Sequence, residues 1–143
     1  MIRFFFLAAL FLSSLFSDEI HEFSGKHFLG SYLACDADAI GDVEALITAM
    51  DQAVEASGAT ILNKVHHVFP PNGVTLVYLL SESHASIHTY PEYGCCFVDL
   101  FTCGTNCSSE RFDKALRSYL QPQKINARLF IRHDSVEEET IIE

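Results

Sequence analysis

Residues 79–104 read LLSESHASIHTYPEYGCCFVDLFTCG, a mostly apolar, β-prone run that carries more reactive side chains than a strand needs. Its apolar content argues for strand, and Tyr90-Pro91-Glu92-Tyr93-Gly94 supplies the turn residues that interrupt it. The spacing predicts a single strand in two parts, Ala85 to Thr89 and Cys95 to Thr102. Within the run, Ser83 is a potential internal nucleophile, because its hydroxyl lies one residue beyond the Glu82 carbonyl. His84 and His88 are potential bases near neutral pH. Cys103 stands just before Gly104, where a strand should run into a turn.

Working outward, Val74 to Leu80 reads as another strand, apolar enough to be covered on both faces. Pro70-Pro71-Asn72-Gly73 is the turn before it, and Thr60 to Phe69 the strand before that. Val43 to Ala56 is the clearest helix, with Val43, Leu46, Ile47, Met50 and Val54 recurring at three- and four-residue steps. Gly58 stops it in the usual C-terminal position. Asp36 to Asp42 supplies turn and capping residues, and His27 to Cys35 reads as the first strand. Downstream, Ser109 to Leu120 is a second helix with Phe112, Leu116 and Leu120 inward and Ser108 or Ser109 as cap. Lys124 to Arg132 is the last strand. Long strands with two amphipathic helices predict an α/β (α+β) two-layer sandwich, a mainly antiparallel sheet with helices on one face. The other face is apolar and calls for a cover, for which a second copy of the chain is the natural candidate.

The 143 residues are enough for one domain, and 49% hydrophobic content is enough for a core. A net charge of −10 argues against a nucleic-acid partner, which needs clustered Lys and Arg. Five cysteines leave at least one thiol unpaired in any intramolecular scheme. Adjacent Cys95 and Cys96 point to opposite faces of a strand, so they do not suggest a disulfide framework. Residues 1–17, MIRFFFLAALFLSSLFS, have the grammar of a signal peptide or hydrophobic leader and are too short for a comfortable membrane span. They point to export or membrane tethering. Residues 134–143 form an acidic tail.

The rival reading of the His and Cys density is a metal site drawn from His66, His67, His84, His88, Cys103 and Cys107. Residues four apart on a strand are separated by roughly 13 Å. Zinc ligands must all come within about 2.0–2.3 Å of one ion. His84 and His88 therefore cannot share a metal on a straight strand, and no metal is expected.

SESHASIHTYPEYG, followed by DLFTCG, resembles the signature of the bacterial S-adenosylmethionine decarboxylase proenzymes, which depend on a pyruvoyl group. Residue type and spacing both match, and the similarity runs from about Gly25 to about His133. The resemblance implies a dimeric two-layer sandwich, built here from residues 25–133. It also implies self-cleavage at Glu82–Ser83, giving a β chain that ends at residue 82 and an α chain that starts at residue 83. Ser83 would become the pyruvoyl cofactor and form a Schiff base with the substrate amine. His88 would be the processing base, Thr75 a hydroxyl that assists processing where relatives often carry Ser, and Cys103 the proton donor. Glu92 would hold the ribose hydroxyls of S-adenosylmethionine and Phe69 would stack on its adenine. The implied role is to supply aminopropyl groups for polyamine, including spermidine, biosynthesis in the cytoplasm, where such relatives work. That setting conflicts with the leader. The competing functions are a pyruvoyl decarboxylase of arginine or ornithine, and a non-catalytic exported binding module or partner subunit.

Overall fold

The structure is a computed structural model that describes residues 24–133, so the predicted leader and the acidic tail lie outside the described residues. Along the chain run β1 (Ser24–Leu33), α1 (Ala37–Gly41), α2 (Val43–Ser57), β2 (Ile61–Phe69), β3 (Gly73–Leu80), β4 (Ser83–Tyr90), β5 (Cys95–Thr102), α3 (Ser109–Leu120) and β6 (Lys124–His133). The strands form one sheet in the order β2-β3-β4-β5-β1-β6, and every neighbouring pair is antiparallel.

Alternation decides which face is buried. Tyr32, Leu76, Tyr78, Ile87, Val98 and Leu100 point from the sheet into the core. They meet Leu46, Met50, Ala53 and Val54 of α2 and Phe112, Leu116 and Leu120 of α3. Each large apolar side chain buried in this layer contributes roughly 1.5–3 kcal/mol. The helices start and stop where the capping residues say they should. Asp42 caps α2 by accepting from the Ala45 amide at 3.0 Å, and Ser108 caps α3 by accepting from Arg111. Gly58 ends α2 at φ 91°, and Arg111 binds the α2 carboxyl end through the Ala56 and Ser57 carbonyls, both at 2.8 Å.

Three expectations need correction. Tyr90 to Gly94 does not interrupt one strand: β4 and β5 are antiparallel neighbours, with Tyr90 paired to Cys95. A 3-10 turn, Pro91–Tyr93, and Gly94 at φ 57° reverse the chain between them. Asp36 to Asp42 is more than a turn, because the Asp36 carboxylate accepts from the Asp38 and Ala39 amides and starts the short helix α1. Within a single chain β3 is covered on one face only, since Leu79 is 55% and Val77 40% exposed.

Those two residues belong to the sheet face opposite the helices, together with Val65, Phe69, Tyr90 and Phe97, all partly exposed. Among the described residues, no helix is long and apolar enough to cross a membrane.

Candidate active site

Two residues, Ser81 and Glu82, join β3 to β4, and Leu80 pairs with Ser83 directly across the hairpin. Two-residue hairpins favour turns with a positive φ inside the loop. Here a positive φ falls on the residue after it: Ser83 sits at φ 147°. A non-glycine residue held in such backbone costs roughly 1–3 kcal/mol. Neighbouring main chain holds it there. The Ser81 amide donates to the Thr60 carbonyl, and the Cys103 amide donates to the Glu82 carbonyl, both at 3.0 Å. The Cys103 thiol lies 3.8 Å from the Ser83 hydroxyl. Glu82, Ser83 and Cys103 thus form one group at the end of β5.

A second group lies across the open sheet face. Thr75 pairs with His88 across β3 and β4, and its hydroxyl is hydrogen-bonded to His88 Nδ1. The Phe69 ring lies 5.8 Å from the His88 ring and the Tyr90 ring 4.5 Å from it. Glu92 stands on the 3-10 turn immediately beyond β4. A Cβ on Gly73 would lie 3.7 Å from Phe69 Cβ and 3.9 Å from Pro91 Cδ, so Phe69 and this turn share one end of the sheet.

His84 belongs to neither group. Its ring meets His27 at 6.3 Å and Phe101 at 5.6 Å. His27 Nε2 lies 3.7 Å from Asp99, whose other oxygen accepts from Ser86. Burial holds the His27 pKa below its ordinary value, and Asp99 opposes that shift only in part.

The two groups are far apart within one chain. Five steps of extended strand separate Ser83 from His88, roughly 16 Å at about 3.3 Å per residue. The sequence-predicted residues therefore fall into Glu82, Ser83 and Cys103 at one end, and Phe69, Thr75, His88 and Glu92 at the other. Sequence reasoning gave His67 only to the rival metal reading and did not single out Thr60. His67 packs edge-on against Phe69 at 4.7 Å, and Thr60 binds the Glu82 side chain. His67 was detectable, since it alternates with Phe69 and must share its strand face. Thr60 was not, because its amide reaches Glu82 across 22 positions of sequence.

Comparison with known proteins identifies relatives of the chain as a whole. A family model described as S-adenosylmethionine decarboxylase matches residues 26–133. A protein of Parasynechococcus marenigrum named S-adenosylmethionine decarboxylase proenzyme is 43% identical over 108 residues, 76% of this chain and 84% of its own. A protein of the same name from Thermosipho melanesiensis is 38% identical over 102 residues, 71% of this chain and 78% of its own. Among solved structures, the adenosylmethionine decarboxylase from Aquifex aeolicus superposes with a TM-score of 0.72 and 34% identity. That match covers 81% of this chain and 96% of the other. With the fold and nearly all of the described chain matched in this way, the protein belongs to the S-adenosylmethionine decarboxylase family.

Proposed function

We propose that this S-adenosylmethionine decarboxylase cuts itself between Glu82 and Ser83 and converts Ser83 into a pyruvoyl group. The observation that carries the proposal is the hairpin: a strained Ser83 follows a carbonyl that already accepts the Cys103 amide. The Ser83 hydroxyl attacks the Glu82 carbonyl carbon, where negative charge gathers on the oxygen facing that amide. A preorganised N–H aimed at developing charge is the usual way such a step is accelerated. The C–N bond then breaks, the hydroxyl proton passes to the Ser83 amine, and an ester joins the two residues. Loss of the Ser83 Cα proton expels the Glu82 carboxylate, and hydrolysis of the resulting enamine, through its imine tautomer, releases ammonia. His88 is the base for the Cα proton, with Thr75 fixing its ring through Nδ1. The residues present therefore fit the cofactor they are asked to make.

Once formed, the group supplies the electron sink that decarboxylation of an amino acid requires. Cys103, beside residue 83, returns a proton to the substrate carbon. Phe69 offers its face to the adenine and to the sulfonium, a contact that suits a cation near an aromatic ring. Glu92 accepts hydrogen bonds from the ribose hydroxyls. The product carries the aminopropyl group used in polyamine synthesis, and a cytoplasmic setting is the one in which this substrate is met.

A single chain leaves this site incomplete, because His88 cannot reach Ser83 along about 16 Å of strand. A homodimer with the two open faces packed together resolves both problems. It covers Val65, Val77, Leu79 and Phe97, and a two-fold axis brings the Ser83 end of one protomer to the His88 end of the other. Each site would then combine Ser83 and Cys103 with the partner subunit's His88.

The test is carbon dioxide release from carboxyl-labelled S-adenosylmethionine, arginine and ornithine in parallel. Release from S-adenosylmethionine alone, abolished by Ser83→Ala, is expected. Release from either plain amino acid and none from S-adenosylmethionine would overturn the reading.

A further inference from the structure

Glu82 is gripped at both ends. Its main-chain oxygen accepts the Cys103 amide at 3.0 Å, from the end of β5. Its carboxylate Oε2 accepts the Thr60 amide at 2.9 Å, from the entry to β2. The Thr60 carbonyl in turn accepts the Ser81 amide at 3.0 Å, so Thr60 clasps the turn on both sides of its peptide. Packing closes the clasp from a third direction. A Cβ on Gly104 would lie 2.9 Å from Glu82 Cγ and 2.8 Å from Cys107 Sγ, so only glycine leaves the Glu82 side chain where it is. Immediately after this fixed residue comes Ser83 at φ 147°.

We infer that the side-chain carboxylate of Glu82 is a positioning group for the self-cleavage, holding the Glu82 carbonyl while Ser83 is strained against it. The inference rests on the self-cleavage reading and assigns to Glu82 a role beyond supplying the scissile carbonyl. Strain persists at a residue only where its surroundings over-determine it. A hairpin loop with nothing holding its second residue would relax by rotating the Glu82–Ser83 peptide. The Thr60 amide, the principal cause, holds the Glu82 carboxyl below the usual carboxylate range, so the charged acceptor persists into mildly acidic solution. Amide-to-carboxylate hydrogen bonds are stronger than those between neutral groups, which suits a clamp on an exposed loop.

The test isolates the acyl shift from the elimination that follows. In His88→Ala the reading expects the chain to halt at the ester, which hydroxylamine splits to leave a hydroxamate on Glu82. The rate at which hydroxylamine-sensitive ester appears is then compared in His88→Ala, Glu82→Ala/His88→Ala and Glu82→Gln/His88→Ala. Glu82→Ala should slow ester formation about tenfold, the scale of one lost charged hydrogen bond. Glu82→Gln keeps an acceptor oxygen without the charge and should fall between. Gly104→Ala in the same background should slow it with Glu82 intact, by displacing that side chain. Ester formation at an unchanged rate in Glu82→Ala/His88→Ala would overturn the inference while leaving self-cleavage standing, whatever the variant does to the melting temperature. A wild-type chain that stays whole would overturn both.

Discussion

At Ser83 the backbone does what the side chain alone could not. A Glu-Ser dipeptide is ordinary, but at φ 147°, with the preceding carbonyl tied to the Cys103 amide, its peptide bond is set apart from the others in the hairpin. Cys103 meets the hairpin twice, through its amide toward Glu82 and through its thiol 3.8 Å from the Ser83 hydroxyl. Only the thiol is removed by substitution with alanine, which separates the two roles. Cys103→Ala should therefore still split into two chains, yet lose decarboxylation by about a hundredfold or more, the scale of one general acid. His88→Ala should remain one chain. Gel mobility and turnover of the two variants check this, and a Cys103→Ala enzyme that turns over like wild type would remove the thiol from the mechanism. Ser83, His88 and Cys103 were legible as a motif because their types and spacing lie within one short stretch. The Glu82 carboxylate contact was not, because its partner at Thr60 is brought close only by the fold.

The elements show where local reading stops. Helix α2 could be read from periodicity, its Asp42 cap and Gly58, since all three act within the helix itself. The chain between Tyr90 and Gly94 could be read as a break, but continuing and reversing strands use the same residues. Reversal is fixed by Gly94 at φ 57° and by the pairing of Tyr90 with Cys95, which is a tertiary contact. The same limit hid the cluster on β1, β4 and β5 that surrounds His27. Burial, the main cause, holds its pKa below 6.5, with Arg132 and His84 adding to the shift and Asp99 opposing it. As pH falls, the unfolded chain takes up this proton before the folded one, so stability falls with acid below about 6.5. His27→Gln should flatten the melting temperature against pH below about 6.5. An unchanged curve in that window would show that His27 does not contribute to it.

Over the whole molecule, the two-layer sandwich was legible because long strands and two amphipathic helices leave one face of the sheet to cover, although β4 and β5 were read as one strand. What the sequence could not show is that, within one chain, the candidate residues fall into two groups at opposite ends of the sheet. Residues that stand within six positions of each other, Ser83 and His88, end up on one straight strand and out of reach. The dimer proposed for this face makes a prediction that no single-chain mechanism shares. Co-expressed Ser83→Ala and His88→Ala chains should form mixed dimers in which one site has both an intact Ser83 and the partner subunit's intact His88. Cleavage of the His88→Ala chain in the mixture, and in neither variant alone, is the expected result. Persistence of both chains whole in a mixture shown to contain mixed dimers would place His88 action within one chain.

All of these expectations rest on the cut at Glu82–Ser83, and intact-mass spectrometry of the purified wild-type protein measures it directly. Two chains should appear, one ending at Glu82 with a free carboxylate. The other should begin at residue 83 with the mass of a pyruvoyl group in place of serine. A single uncut chain in a preparation that decarboxylates S-adenosylmethionine would contradict the account.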